Sequence, residues 1–346
     1  MQLIAPLKVG IVGCGEHATE NLLPSLWNLT CVEVRAVCDS ELATAVAVAR
    51  RFPKANAYPD FHALIASKKV DAIIAAAPPQ VHRDVAWEAL LNGIHIFVEK
   101  PPTVTTEELT KLAAFAKKVG LVTGVGHNLR HATACRQLQD RLQDPSFGRP
   151  ICMDMRYFAS KPLGDRWGLK SVLRSFLLSH ANHALDLMVF HMGPVASTSA
   201  IANCAPNGSV TLCAQIAFVS GAVGNLLITT LAPHFALSVT VVGEYSTIAH
   251  LDGLRSISEY GLRNDVKRWG HYWTDRTLES GYEHAGYQTE LELFANSVLR
   301  NDVMQPSFDD ELAVYRLIDQ IESQVLSAIG SSPCGSDILC DVNTGQ

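Results

Sequence analysis

Residues Leu7–Val12 make a near-continuous apolar run that ends on Gly13-Cys14-Gly15-Glu16-His17-Ala18, and a helical stretch follows to about Asn28. A buried strand feeding a glycine-rich turn and then a helix leaves few folds open. In that setting Gly-x-Gly-x-x-Ala is the fingerprint of a dinucleotide-binding turn. Gly13 permits the tight turn, Gly15 lets the backbone approach a pyrophosphate, and Ala18 allows close packing of helix on strand. The phosphates would rest on the helix N-terminus, against its N–H groups.

The first half of the chain repeats this unit. Strands are expected at Val32–Cys38, Asp71–Ala76, Ile94–Val98 and Leu121–Gly126, with helices at 41–52, 81–92 and from Thr105 to Gly120. Thr105 and Thr106 ahead of Glu107 and Glu108 read as a helix start by capping chemistry, and Gly120 is a helix stop. Repeated βα units predict an N-terminal Rossmann domain, a doubly wound parallel sheet over residues 1–127. The pattern then changes. Apolar runs at Ile151–Phe158, Val195–Asn203, Val210–Val219, Val223–Leu231, Ala236–Val242 and Thr247–Leu251 are joined by short Gly, Pro and Asn turns. They predict a C-terminal α/β domain over 128–330 with a large, mostly antiparallel sheet. One helix interrupts them near 176–192, two more close the fold at 287–300 and 309–329, and 331–346 reads as a loose tail.

Composition narrows the partners. A length of 346 residues suggests two domains, and 48% hydrophobic residues exclude a disordered chain. Lys and Arg number 28 against 34 Asp and Glu, a net charge of −6 with no basic patch, so nucleic acid is not an expected partner. No apolar stretch reaches the length of a membrane span. The start, MQLIAPLKVGIVG, lacks a basic leader and reads as no signal peptide. A charged share of 18% is low, which favours surface covered in a homo-oligomer, a dimer or tetramer. The nine cysteines, at 14, 31, 38, 135, 152, 204, 213, 334 and 340, form no Cys-x-x-Cys and no zinc spacing. They read as buried reduced thiols of a cytoplasmic protein, and no metal is expected.

Two strand ends carry candidate chemistry. Asp39 closes the second strand, 21 residues after Ala18. Its carboxylate suits both hydroxyls of an adenosine ribose and would repel a 2′-phosphate, and no Arg or Lys follows before Arg50, so NAD is expected over NADP. The alternative is that Asp39 caps the helix starting near Glu41. Lys100, in Glu99-Lys100-Pro101-Pro102, follows a strand whose carboxyl end faces the cofactor crevice. An ammonium there can bind a substrate hydroxyl or carbonyl and shuttle a proton. A surface lysine in a turn is the plain alternative.

These residues resemble those of the glucose–fructose oxidoreductase, inositol dehydrogenase and rhizopine catabolism (Gfo/Idh/MocA) family. Glu99-Lys100-Pro101 after a Rossmann half is similar to its hallmark. Ala77-Pro78-Pro79-Gln80-Val81-His82 resembles its loop near the nicotinamide, and Gly126-His127-Asn128-Leu129-Arg130 its segment at the domain junction. His183-Ala184-Leu185-Asp186 resembles its His-x-x-Asp helix, and Glu290–Phe294 its late helix. The resemblance covers about residues 7–329. It implies NAD(P)-dependent oxidation or reduction of a secondary alcohol or ketone of a sugar, cyclitol or derivative. It also implies Lys100 and His183 as catalytic residues. Gly13, Cys14, Gly15, Glu16, His17, Asp39, Ala77, Pro78, His82, Glu99, Lys100 and Asn128 would bind cofactor. Two other readings stay open: a nicotinamide-binding regulator without turnover, and a lyase or glycoside hydrolase that uses NAD with no net redox.

On a uniform helix, Ser179, Asn182, His183 and Asp186 share one arc, with Ala181, Leu185, Met188 and Met192 opposite. The arc is a solvated face or, by the resemblance, a substrate face. Dehydrogenases of the family usually carry an Asp four residues before that His, where this chain has Ser179. Serine orients an imidazole more weakly than a carboxylate does. Further substrate candidates are Lys100, Arg130, Tyr157, Arg166, Trp167, Ser179, Asn182, His183 and Tyr287, because aromatic faces beside hydrogen-bonding groups suit a sugar.

Overall fold

The computed structural model describes residues 5–161, 164–263, 267–274 and 284–330. Cys334, Cys340 and the tail read at 331–346 lie outside them. The chain forms two compact units: Met1–Ala132 with Glu279–Leu312, and Thr133–Leu278 with Ala313–Gln346.

The first unit is built on six parallel strands: β1 (Leu7–Val12), β2 (Val32–Cys38), β3 (Asn56–Tyr58), β4 (Ala72–Ala75), β5 (His95–Glu99) and β6 (Thr123–Gly126). Their order is β3-β2-β1-β4-β5-β6, so the chain reverses its direction of travel between β1 and β4. Such a reversal opens a crevice beyond the carboxyl ends of the strands. The residues just past those ends are Gly13, Asp39, Ala76, Lys100 and His127. The central strands are buried along their length, as expected where helices cover both faces. Residues 16 to 27 are helical, with α1 at Leu23–Trp27 preceded by a π turn at Ala18–Leu22. Pro24 accounts for that turn: it offers no N–H and its ring crowds the carbonyl of Glu20. The chain widens instead, and Leu23 N–H bonds to the Ala18 carbonyl.

The remaining helices of this unit are α2 (Leu42–Ala49), α3 (Phe61–Ala66), α4 (Pro79–Leu91), α5 (Thr106–Val119), α6 (Asn128–His131) and the late α10 (Tyr287–Arg300). The capping box is present: Thr105 accepts from the Glu108 N–H and the Glu108 carboxylate accepts from the Thr105 N–H, while Gly120 ends α5 at φ +68°. α10 supplies Leu291, Phe294 and Ala295 to the core around β1 and β2, and Phe294 meets Phe97 with ring centres 5.6 Å apart. Among the described residues, no helix is long and apolar enough to cross a membrane.

The second unit carries an eight-stranded sheet: β7 (Pro150–Ser160), β8 (Val195–Cys204), β9 (Val210–Phe218), β10 (Val223–Thr229), β11 (Leu231–Gly243), β12 (Thr247–Asp252), β13 (Ser256–Arg263) and β14 (Lys267–Thr274). The order is β14-β13-β12-β11-β7-β10-β9-β8, with β7 and β10 the parallel pair and the other neighbours antiparallel. Strand alternation puts Leu212, Ala214 and Ile216, with Leu226 and Ile228, on the buried face. Cys213 points to the other face and is exposed, unlike Cys14, Cys38 and Cys135. The expectation of buried thiols fails for Cys213 because an odd position on β9 faces outward. The helices are α7 (Thr133–Gln143), α8 (Val172–Phe176), α9 (Asn182–Met192) and the long α11 (Phe308–Gly330), which starts in the first unit. α9 packs against β7 and β10, where Gly224 leaves room for the tip of Met188.

Candidate active site

The glycine-rich turn is shaped for a ligand that touches backbone. Gly13 has φ +91°, and a Cβ there would fall 2.2 Å from the Ala76 carbonyl oxygen. Both facts require glycine. Gly15 is exposed, and a Cβ on it would meet nothing within 4 Å, so the turn presents open backbone to the crevice. Asp39 holds the turn in place. Its Oδ2 accepts from the Cys14 N–H at 2.8 Å, and its Oδ1 accepts from the Glu41 N–H at 3.0 Å. Asp39 therefore braces the turn that leads into α2, whose N-cap is Glu41 and carries no side-chain cap. The same carboxylate sits at the end of β2, where ribose recognition is expected. Burial, with Asp39 nearby, pushes the Cys14 thiol up to about 12, so it stays a neutral packing group.

Four titratable residues gather around the end of β5. His82 is buried: Nε2 accepts from the Ala77 N–H at 2.8 Å and Nδ1 faces the Pro101 carbonyl at 3.0 Å. An Nε2 that accepts leaves the proton on Nδ1, which then donates to Pro101. Burial pushes the imidazole down to about 4, so it is neutral at ordinary pH. One neutral ring thus ties the loop after β4 to the turn after β5. Glu99 is buried beneath Gly126, where a Cβ would lie 2.7 Å from its carboxyl carbon. Burial alone would raise the Glu99 carboxyl; His17, Lys100 and His82 outweigh it and hold it below the usual range. His17 Nε2 stands 3.1 Å from Glu99 Oε1, while Asn21 Nδ2 approaches His17 Nδ1 at 3.4 Å. The Tyr287 ring meets His17 edge-on at 5.5 Å. Lys100 is half-buried and its peptide bond to Pro101 is cis.

Other sequence candidates of this unit lie on α6 and α10. Asn128 is buried and donates to the Ala285 carbonyl at 2.9 Å, and Arg130 is buried. Gly286 (φ +94°) lets the chain pass against Asn128, where a Cβ would fall 2.1 Å from its carbonyl oxygen. Pattern reading missed a fully buried contact, His127 Nε2 to Glu311 Oε2 at 2.7 Å. Nothing local in the sequence ties Glu311 to His127, 184 positions away.

In the second unit the histidine helix departs from the uniform projection. A π turn occupies Leu177–Ala181, with Asn182 N–H bonded to the Leu177 carbonyl. The fixed step per residue does not hold across it. Ser179 Oγ sits 2.6 Å from His180 Nδ1 and donates to the Ser175 carbonyl at 2.5 Å. Ser179 thus meets His180, a neighbour that the uniform projection did not pair with it. Ser179, His180, Asn182 and Asp186 are buried and His183 half-buried, so the solvated-face alternative is also overturned. Tyr157 is buried on β7, its ring edge-on to Phe235 at 5.4 Å, and burial raises its phenol. Arg166 and Trp167 are half-buried; the Arg166 N–H donates to Ser175 Oγ, and Trp167 has φ +57°.

Comparison with known proteins agrees with this architecture. Residues 7–127 match the oxidoreductase family with an NAD-binding Rossmann fold, and 141–324 match the C-terminal alpha/beta domain of the same family. The D-glucoside 3-dehydrogenase of Escherichia coli K12 is 30% identical over 144 residues, 42% of this chain and 41% of that one. The inositol 2-dehydrogenase of Salmonella typhimurium LT2 is 28% identical over 184 residues, 53% of each chain. The chain thus spans about half the length of these curated relatives, or less. A crystal structure of a dehydrogenase from Chromobacterium violaceum superposes with TM-score 0.90 at 34% identity, covering 94% of this chain and 97% of that one. A levoglucosan dehydrogenase in complex with NADH and levoglucosan shares the fold, with TM-score 0.82 at 19% identity over 93% and 97% of the two chains. With both of its domains matched, this chain belongs to the Gfo/Idh/MocA oxidoreductase family and carries its NAD-binding Rossmann fold.

Proposed function

We propose that the protein is an NAD-dependent oxidoreductase acting on a secondary alcohol or ketone of a sugar, cyclitol or derivative. The observation that carries this reading is Lys100, half-buried at the carboxyl end of β5 beside the Glu99 carboxylate, in a crevice whose turn is open at Gly15. The bound nucleotide supplies the hydride acceptor or donor at its nicotinamide. In oxidation, neutral Lys100 takes the hydroxyl proton; in reduction, its ammonium gives a proton to the carbonyl oxygen. Neutral His82 cannot compete for that proton. It holds the Ala77 and Pro101 backbone groups, and with them the place from which Lys100 departs. His183 is the second proton carrier in this reading, and Arg130, Arg166, Trp167, Asn182 and Tyr287 are substrate contacts. Asp39, placed at the end of β2, favours NAD over NADP because a 2′-phosphate there would meet a carboxylate. The similarity to a glucoside and an inositol dehydrogenase supports the substrate class. Ile201, Val223 and Leu231, exposed on the large sheet, support a homo-oligomer, and the free thiols support a reducing, cytoplasmic setting.

The test is a panel of polyols, glycosides and inositols offered with NAD and followed by absorbance of the reduced nucleotide. Reduction by at least one member, with NADP much poorer, is the expected result. Substrate cleavage with no net reduced nucleotide would replace this reading with the lyase one. Binding of the nucleotide with neither outcome would favour a regulator.

A further inference from the structure

The His17–Glu99 contact joins two elements that act on different parts of a dinucleotide. His17 belongs to the first helical turn after the glycine-rich loop, and its side chain is 43% exposed. Glu99 closes β5 with its side chain 7% exposed, and no donor in hydrogen-bond geometry reaches its Oε1 among the described residues. Asp39, on the adenosine side, ends β2, whereas Glu99 ends β5, beyond β1 and β4 in the sheet order. A dinucleotide straddles the point of reversal, so its two halves lie on opposite sides of that point. His17 reaches Glu99, on the β5 side of that point.

We propose that His17 is a specificity-determining residue for the redox state of the cofactor: with Glu99 and Lys100 it sets whether the crevice favours oxidised or reduced nicotinamide. The oxidised ring is a cation and the reduced ring is neutral. Whichever form Lys100 takes, loss of the His17 proton lowers the charge of the group of His17, Glu99 and Lys100 by one. Loss of the proton therefore tightens binding of NAD+ relative to NADH. The other titratable groups against this pair are the phenol of Tyr287 and the buried His82, with Glu16 and Glu20 exposed on the same helical stretch as His17. His82 titrates near 4, below the range of interest. Oxidation releases a proton, so the arrangement matches the cofactor form to the direction that each pH favours.

The inference rests on a nicotinamide nucleotide occupying this crevice, as the reading above requires, and not on the identity of the alcohol. The experiment is to measure Kd for NAD+ and for NADH between pH 5.5 and 8.5 on the intact chain. The His17 ring is followed by NMR in the same samples. The ratio Kd(NAD+)/Kd(NADH) should fall by about three- to tenfold as pH rises through the His17 midpoint, the size of one partly screened charge. His17→Gln should flatten the profile while still binding both forms. Glu99→Gln should move the His17 midpoint, and the fall in the ratio with it, to lower pH. A ratio that stays flat while His17 titrates, or one that falls equally in His17→Gln, would overturn the inference. Failure of both nucleotides to bind the unaltered protein would instead overturn the functional reading beneath it.

Discussion

His82 shows how one side chain can be both a fixed joint and an acid-sensitive one. Its imidazole is neutral when buried and ordinary when unfolded, so the unfolded chain binds more protons between pH 6.5 and about 4. The folded pKa is depressed, so stability from this site is complete above 6.5 and falls as pH drops toward 4, by about 1.4 kcal/mol per pH unit. Thermal unfolding followed from pH 7 to 4.5 should show a steeper acid loss in the unaltered protein than in His82→Gln; equal slopes would remove His82 as the cause. Asp39 carries a second prediction. Asp39→Ala should weaken NAD binding by about 1–3 kcal/mol, the worth of hydrogen bonds to a charged group, and spare NADP. Because Asp39 also anchors the Cys14 and Glu41 N–H groups, Asp39→Asn is the cleaner control. It keeps an acceptor without the charge, so NADP discrimination measured by titration should fall even where folding is intact. At the level of residues, the placing of Gly13, Asp39 and Lys100 just past strand ends was legible, because a strand end and a glycine turn leave local marks. The pairing of His17 with Glu99 was not, since it joins residues 82 positions apart through the sheet order.

At the scale of elements, helices with capping chemistry were readable almost to the residue. α5 carries its box at Thr105 and Glu108, and α10 spans the expected 287–300. β3 and α3 were missed because three half-exposed residues and a short helix leave no lasting periodicity. β13 and β14 were missed because Tyr260 and Tyr272 are exposed and polar residues interrupt the apolar pattern. The π turn at Leu177–Ala181 was invisible to a uniform helical step, and it changes the meaning of Ser179. A carboxylate at that position would act on its neighbour His180 and not on His183. In Ser179→Asp, NMR titration should show the His180 midpoint raised and the His183 midpoint little changed, since an adjacent anion favours the imidazolium. A raised His183 midpoint with His180 unmoved would show that the helix keeps the regular spacing after all.

At the scale of the whole molecule, the two fold classes followed from a change in pattern near residue 130, continuous apolar strands giving way to alternating ones. What local pattern could not convey is which core a helix joins. The apolar stripe of α10 says that one face is buried; only its packing places Leu291 and Phe294 among the residues of β1 and β2. The substrate is likewise beyond the reach of fold, because function lives in the site. In the proposed reaction Lys100 carries the proton of a hydride transfer to NAD. The direct measurement is a single turnover with stoichiometric bound NAD and an alcohol selected from the panel, comparing the unaltered protein with Lys100→Met. With NAD saturating in both proteins, formation of reduced nucleotide should be slowed by about a hundredfold or more in the variant. Reduction at an unchanged rate in Lys100→Met, with NAD fully bound, would contradict it.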